Sequence, residues 1–112
     1  MAAIYDEYQG AEVTAYFEGQ GVPTLPTTVH HRLYCLTNNQ EVIPYTSDTP
    51  SVEVDDSGVT RYFAIINIPA SANAIIKNTN SRELKEVMVI ADKGTDREYS
   101  QRFQYYVTNT KR

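Results

Sequence analysis

The chain has 112 residues, enough for one domain with its own hydrophobic core, and its single cysteine, Cys35, excludes an intrachain disulfide. Its net charge of −4 disfavours general nucleic-acid binding. The charge is segregated, because residues 1–60 carry −8 and residues 61–112 carry +4. The first residues have neither a basic start nor an apolar core, and no apolar run has the length of a bilayer, so the sequence predicts neither a secretory signal nor a membrane span.

The first half of the chain predicts an extended arm followed by short strands. Residues 1–10 show no hydrophobic period, and the Gly- and Pro-rich segment 19–26 reads as a connector. Pro44 lies inside one predicted strand, and because proline cannot donate to a ladder, that strand is expected at a sheet edge or at a bulge. The strands predicted here are 12–17, 29–36, 41–46 and 52–54.

The second half carries the clearest strand pattern. Residues 99–107 alternate between apolar and polar side chains, as expected for a strand with one buried and one solvated face. The turn composition of residues 92–96 predicts an antiparallel hairpin between this strand and 82–92. A third strand, 59–68, ends at Pro69, and residues 70–76 predict a turn or a single helical turn.

Six or seven short strands separated by turns predict an all-β fold, a single antiparallel β-sandwich with an extended N-terminal arm. The arm, with its possible first strand, covers residues 1–22, and the sandwich covers residues 23–112. Strands do not alternate with helices in the sequence, so a parallel α/β fold is not expected.

The candidate catalytic and metal-binding residues have simpler structural explanations. His30 and His31 are adjacent, so on a strand they point to opposite faces and cannot grip one metal ion. Cys35 lies in an apolar strand, too far along it from His31 for a nucleophile–base pair, and is expected to be a small buried side chain. Residues 55–58 and 92–96 have turn chemistry and lack the spacing of an EF-hand loop. The sequence therefore predicts no catalytic residue, no cofactor and no metal site, and an enzyme is the weakest hypothesis.

Several segments resemble known families. Residues 25–37, LPTTVHHRLYCLT, resemble an early strand of a fibronectin type III or immunoglobulin-like module. Residues 61–76 resemble the penultimate core strand and its crossover, and residues 83–94 and 99–109 resemble the closing hairpin. More narrowly, IPASANAII at 68–76, the Glu-bearing strand after it and KGTD at 93–96 resemble small structural proteins of tailed bacteriophages.

The resemblance implies a non-enzymatic structural subunit of a tailed-phage virion. Such a subunit decorates or cements the capsid, or joins head and tail or tail pieces, through contacts with other virion proteins and with copies of itself. It is made in the host cytoplasm and resides in the virion, with no membrane, nucleic-acid or small-molecule partner. The alternative is an immunoglobulin-like module that binds carbohydrate or a cell surface, because exposed tyrosines suit sugar stacking.

The charge segregation suggests how such subunits would meet. An acidic arm that reaches a basic face of the next subunit would give a head-to-tail contact. The interface residues predicted on this basis are Tyr5, Asp6, Glu7, Tyr8, Glu12, Arg97, Arg102, Tyr106, Lys111 and Arg112.

Overall fold

The computed structural model describes residues 3–19, 22–77 and 79–109, and these form nine strands and one short 3₁₀ helix. The strands are β1 (Ala3–Asp6), β2 (Ala11–Gly19), β3 (Val22–Pro23), β4 (Val29–Cys35), β5 (Gln40–Asp48), β6 (Ser51–Val54), β7 (Thr60–Ile68), β8 (Arg82–Ala91) and β9 (Tyr99–Thr108). The 3₁₀ helix is Ala70–Asn73, directly after Pro69 has ended β7.

The strands form two sheets with one hydrophobic core. One sheet has the order β1-β9-β8-β4-β5 and the other the order β3-β2-β7-β6. Inward side chains from both sheets, among them Phe17, Leu33, Ile66 and Val87, belong to a single buried cluster. Alternation along each strand sends every second side chain into this cluster and the others outward, so each sheet also presents one outer face.

The structure confirms the predicted all-β architecture with two sheets. The predicted hairpin is present, since β8 and β9 pair antiparallel from Arg82↔Thr108 to Ala91↔Tyr99. The strand that contains Pro44 is the edge strand β5, and the register of its pairing with β4 shifts opposite Leu33. Nine strands occur in the described residues, more than the six or seven predicted, because β1 and β3 are too short to show a period.

The extended arm predicted for residues 1–10 is wrong for the residues that the structure describes, whereas the possible first strand predicted at 12–17 is present as β2. Ala3–Asp6 is a strand of the larger sheet and pairs parallel with β9, from Ala3↔Tyr105 to Asp6↔Thr108. Ala11–Gly19 pairs with β7 along seven residues and contributes the buried Phe17 to the core. The boundary expected at residue 22 therefore does not divide the chain into two structural units, because each sheet contains strands from before and after this residue.

Candidate functional site

The outer face of the five-stranded sheet is lined by arginine, tyrosine and methionine side chains in register. Arg32 on β4 lies opposite Met88 on β8, which lies opposite Arg102 on β9. We call this surface the Arg/Tyr face. It comprises Arg32, Tyr34, Tyr45, Arg82, Met88, Lys93, Arg102 and Tyr106.

Cations stack on tyrosine rings across the Arg/Tyr face. The Arg32 guanidinium lies 5.1 Å from the ring centroid of Tyr34 and 5.3 Å from that of Tyr45. The Lys93 ammonium also lies over the Tyr45 ring, 4.9 Å from its centroid. The Tyr45 hydroxyl donates to the Met88 sulfur at 3.6 Å. These contacts cover Met88, which is only 7% exposed although it points outward. They also restrict several long side chains that would otherwise move freely.

The other side of the Arg/Tyr face holds a buried carboxylate beside exposed arginines. Glu86 is 4% exposed, accepts a hydrogen bond from the Gln104 amide at 2.9 Å, and lies 4.0 Å from the guanidinium of Arg102. Arg82 lies 4.5 Å from the Tyr106 ring centroid. Arg82 and Arg102 remain exposed, so their charges are available to a partner.

The outer face of the four-stranded sheet carries the opposite charge. Glu12, Glu18 and Glu53 point outward from β2 and β6, and the only outward cation on these strands among the described residues is Arg61. Tyr16, Phe63 and Ile65 lie between them, with the Tyr16 and Phe63 ring centroids 5.8 Å apart. We call this surface the acidic face. It comprises Glu12, Tyr16, Glu18, Glu53, Arg61, Phe63 and Ile65.

Of the ten interface residues predicted from sequence, the structure brings only Arg102 and Tyr106 together on the Arg/Tyr face. Glu12 lies on the acidic face instead, and Arg97 lies in the 92–98 loop. Tyr5, Asp6, Glu7 and Tyr8 lie in or directly after β1, and Lys111 and Arg112 are outside the described residues. Arg32, Tyr34, Tyr45, Arg82 and Lys93 were missed, because only the strand register places them beside one another.

Glu7 and Tyr5 make contacts within their own chain that the arm hypothesis did not predict. A Glu7 carboxylate oxygen accepts a hydrogen bond from the backbone N–H of Ile75 at 3.2 Å. The Tyr5 ring is half-buried and packs edge-on against Tyr105, with centroids 5.3 Å apart. These contacts attach both side chains to the rest of their own chain.

A buried polar cluster holds the segment between β7 and β8. The Glu83 carboxylate accepts hydrogen bonds from the backbone N–H groups of Ile76 and Lys77 at 2.9 and 3.0 Å, and from the Asn38 and Asn80 amides. Burial alone would raise the pKa of Glu83, but these donors outweigh it and hold the pKa below its usual value. The cluster fixes one end of the sandwich.

Lys85 and Cys35 complete the buried polar cluster. The Lys85 ammonium is fully buried, donates to the carbonyl of Ala74 at 3.1 Å and lies 3.7 Å from a Glu83 oxygen. The Cys35 thiol is also fully buried, with its sulfur 3.8 Å from the same Glu83 oxygen. Two charges of opposite sign inside the core compensate each other, which a single buried charge could not do.

The two histidines lie on opposite faces of β4. His31 points inward, and its Nδ1 lies 2.6 Å from Asp48 Oδ2. His30 points outward beside Ile90 and is half-buried. Within residues 3–19, 22–77 and 79–109, His, Cys, Asp and Glu side chains do not gather in any group of three that could hold a metal ion.

The two aspartate-rich segments are turns with local hydrogen bonds. Asp55 accepts from the backbone N–H groups of Ser57 and Val59 at 2.8 and 3.0 Å. Asp92 accepts from those of Thr27 and Thr28 at 2.6 and 3.1 Å, which ties the 92–98 loop to the loop before β4. Gly94 has a φ of +83°, a conformation that other residues adopt only with strain.

A pocket of about 260 Å³ lies where β2 and β7 meet the short strand β3. Tyr16, Glu18 and Arg61 line it from the outer face of the sheet, and Tyr62, which is in register with the buried Phe17, lines it from the inner face. Flat aromatic surfaces next to charged hydrogen-bonding groups are the elements of a small polar ligand site.

No protein-family model matches the chain, and no curated protein or solved structure shows significant similarity to it. In the part of the chain that the structure describes, no helix is long and apolar enough to span a membrane.

Proposed function

We propose that this chain is a non-catalytic structural subunit of a tailed-phage virion, a capsid decoration or cement protein or an adaptor at the head–tail junction or in the tail. It acts through protein–protein contacts of the Arg/Tyr face with other virion proteins. The resemblance of residues 68–76 and 93–96 to phage structural proteins supports the virion assignment. The assignment of the Arg/Tyr face as the contact surface rests on its residue types and on the stacked arrangement of its side chains.

The Arg/Tyr face has the chemistry of a protein interface. Tyrosine, arginine and methionine are enriched in the cores of such interfaces, and tyrosine and arginine are frequent among the few residues that supply most of the binding energy. Here the tyrosine rings already contact stacked cations, as Tyr45 contacts both Arg32 and Lys93. Less side-chain freedom remains to be lost when a partner binds, which favours affinity.

We also propose that the sandwich is of the immunoglobulin type. In that fold one sheet contains strands B, E and D, and the other contains G, F, C and C′. The order β2-β7-β6 matches the first set, and the order β9-β8-β4-β5 matches the second. In this alignment the Arg/Tyr face is the outer surface of the sheet that contains strands G, F, C and C′.

The test is quantitative mass spectrometry of purified particles from a phage that carries this gene. We expect the chain at a constant ratio to a capsid, neck or tail protein, and retention after the particles are washed in moderate salt. A chain that is abundant in infected cells and missing from intact particles would contradict the virion role.

The pocket beside β3 favours one second candidate, a module that binds carbohydrate. The exposed Tyr16 ring would stack on a sugar ring while Glu18 and Arg61 bind its hydroxyl groups. On a glycan array, this function predicts binding that is lost in the Tyr16→Ala variant and kept in Tyr34→Ala, which changes the opposite face. A native chain that binds no glycan would exclude this candidate.

A further inference from the structure

The two outer faces of the sandwich differ in the charges that they expose. The acidic face exposes three carboxylates, those of Glu12, Glu18 and Glu53. Arg61 stands across the strands from Glu53, with which it is in register. The outward charges of β2, β6 and β7 therefore sum to a net negative charge at neutral pH.

The three central strands of the Arg/Tyr face carry more outward cations than carboxylates. Arg32, Arg82 and Arg102 point outward from β4, β8 and β9 against the single carboxylate of Glu86, whereas Asp6 and Glu41 lie on the edge strands β1 and β5. Lys93 lies in the loop after β8, together with the exposed Asp96 and Glu98. Glu86 in the middle is buried and already has its partners. A molecule that approaches this face therefore meets positive charge first.

Each face also exposes large aromatic or apolar side chains. On the acidic face Tyr16 is 46% exposed and Ile65 48%, and on the Arg/Tyr face Tyr45 is 38% exposed. Such surface supplies contact area once opposite charges have aligned two faces, because charge complementarity favours encounter and register while apolar burial favours retention.

Building on the proposed function, we propose that the Arg/Tyr face binds the acidic face of a second copy of this chain, so that copies stack head to tail. Pairing two Arg/Tyr faces, or two acidic faces, would place like charges opposite each other and is disfavoured. A contact between two different faces of one molecule is heterologous, and it continues into an open stack or closes into a ring.

The size of the faces indicates how strong one contact is. With strands about 4.8 Å apart and a rise of about 3.3 Å per residue, five strands of about eight residues give roughly 630 Å² of planar area. A standard stable interface buries about 800 Å² on each partner. We therefore expect weak association between two free copies, which repeated contacts in an assembly strengthen.

Sedimentation velocity of the full chain tests the stacking over a wide range of protein concentration. At low salt we expect the mean mass to rise with concentration, and at about 0.3 M salt we expect association to weaken about tenfold. Two charge-reversal variants separate the faces. The first is Glu12→Lys with Glu18→Lys and Glu53→Lys, and the second is Arg82→Glu with Lys93→Glu. Arg102 is left unchanged because Glu86 lies 4.0 Å from it.

Each variant alone should lose self-association about tenfold or more, and an equimolar mixture should recover it, because the acidic face of one variant still fits the Arg/Tyr face of the other. The recovery also shows that both variants are folded. The control Lys77→Glu with Arg97→Glu changes the net charge as much as the second variant, but at two positions that belong to neither face, and should associate like the native chain.

Two results would overturn the stacking. One is a first variant that associates like the native chain while the second does not, which would mean that Arg/Tyr faces pair with each other. The other is a native chain that stays monomeric at every concentration and salt. If that monomer is still present in particles, the proposed function stands and only the stacking fails. If instead the chain stacks but is missing from particles, the stacking stands and the proposed function fails.

Discussion

At the scale of single residues, the most informative side chain is Glu83. It is fully buried at the start of β8, where it faces the core with Lys85 and Val87. Four hydrogen-bond donors from two loops converge on its carboxylate. The charge is therefore retained inside the sandwich, and it orders the segment between β7 and β8.

Replacing Glu83 with glutamine should destabilise the protein in a pH-dependent way. The variant leaves Lys85 buried without a counter-charge and puts an amide N–H₂ group among donors, so we expect a loss of about 2–4 kcal/mol at pH 7. The folded pKa of Glu83 lies below the unfolded one, so its contribution is present above the unfolded value of about 4.3 and disappears as the pH falls through the folded pKa. Urea unfolding from pH 7 to pH 3 measures both effects.

The control for this experiment is Glu41→Gln, because Glu41 is exposed and its only ion pair in the described residues is a 3.9 Å contact with Arg32. It should change the stability by less than about 0.5 kcal/mol. If Glu83→Gln and Glu41→Gln behaved alike at pH 7, the buried cluster would not stabilise the fold.

The sequence predicted the environment of Cys35 but not that of Glu83. Cys35 lies in an apolar strand, and the expectation of a small buried side chain is confirmed. The charged start of β8 gave no sign that Glu83 and Lys85 are buried, because their partners lie in loops 36–39 and 74–80. Asn38 comes from a different loop of the chain, and the nearer segment 74–80 carries no local pattern that would show its backbone N–H groups folding back onto Glu83.

At the scale of elements, β1 is the clearest difference between prediction and structure. Its four residues are too few to show alternation, yet they pair parallel with β9 and place Tyr5 against Tyr105. The long strands β7, β8 and β9 were predicted within a few residues because each carries a full β period. The alternation of apolar and polar side chains thus predicts long strands, whereas the formation of short strands depends on tertiary pairing.

Deleting residues 1–6 should destabilise the sandwich. The deletion removes the ladder with β9 and the half-buried Tyr5 ring, so we expect a loss of about 2 kcal/mol or more. Hydrogen exchange should show faster exchange of β9 amides. The matched variant Ile4→Ala, at a position that is 64% exposed, should be nearly neutral. Unchanged stability and exchange after the deletion would mean that β1 is a free arm.

The tie between the 92–98 loop and the loop before β4 gives a second prediction at this scale. Asp92→Ala removes the acceptor of two backbone N–H groups and should cost about 1–2 kcal/mol. Asp92→Asn keeps an oxygen in the same place and tolerates the positive φ of this position, so it should retain most of the stability. Thermal unfolding measures both, and equal losses in the two variants would contradict this role of the Asp92 oxygen.

At the scale of the whole molecule, the charge segregation seen in the sequence becomes a difference in charge between the two outer faces of the sandwich. The acidic first half contributes β2 and β6 to the acidic face, and the second half contributes Arg82, Lys93 and Arg102 to the Arg/Tyr face. The sequence predicted that charge would matter for assembly but assigned it to an arm and a tail. The strand order, which no local pattern reveals, instead places the acidic and the basic side chains on the outer faces of two different sheets.

The most direct test of the central claim is the incorporation of variant chains into particles. Native chain and the Arg82→Glu, Lys93→Glu variant are supplied together in equal amounts during infection, and mass spectrometry measures their ratio in purified particles. We expect the variant to be reduced about tenfold relative to native chain, while Lys77→Glu with Arg97→Glu is incorporated equally. Equal incorporation of the Arg82→Glu, Lys93→Glu variant would contradict the claim that the Arg/Tyr face is the assembly surface.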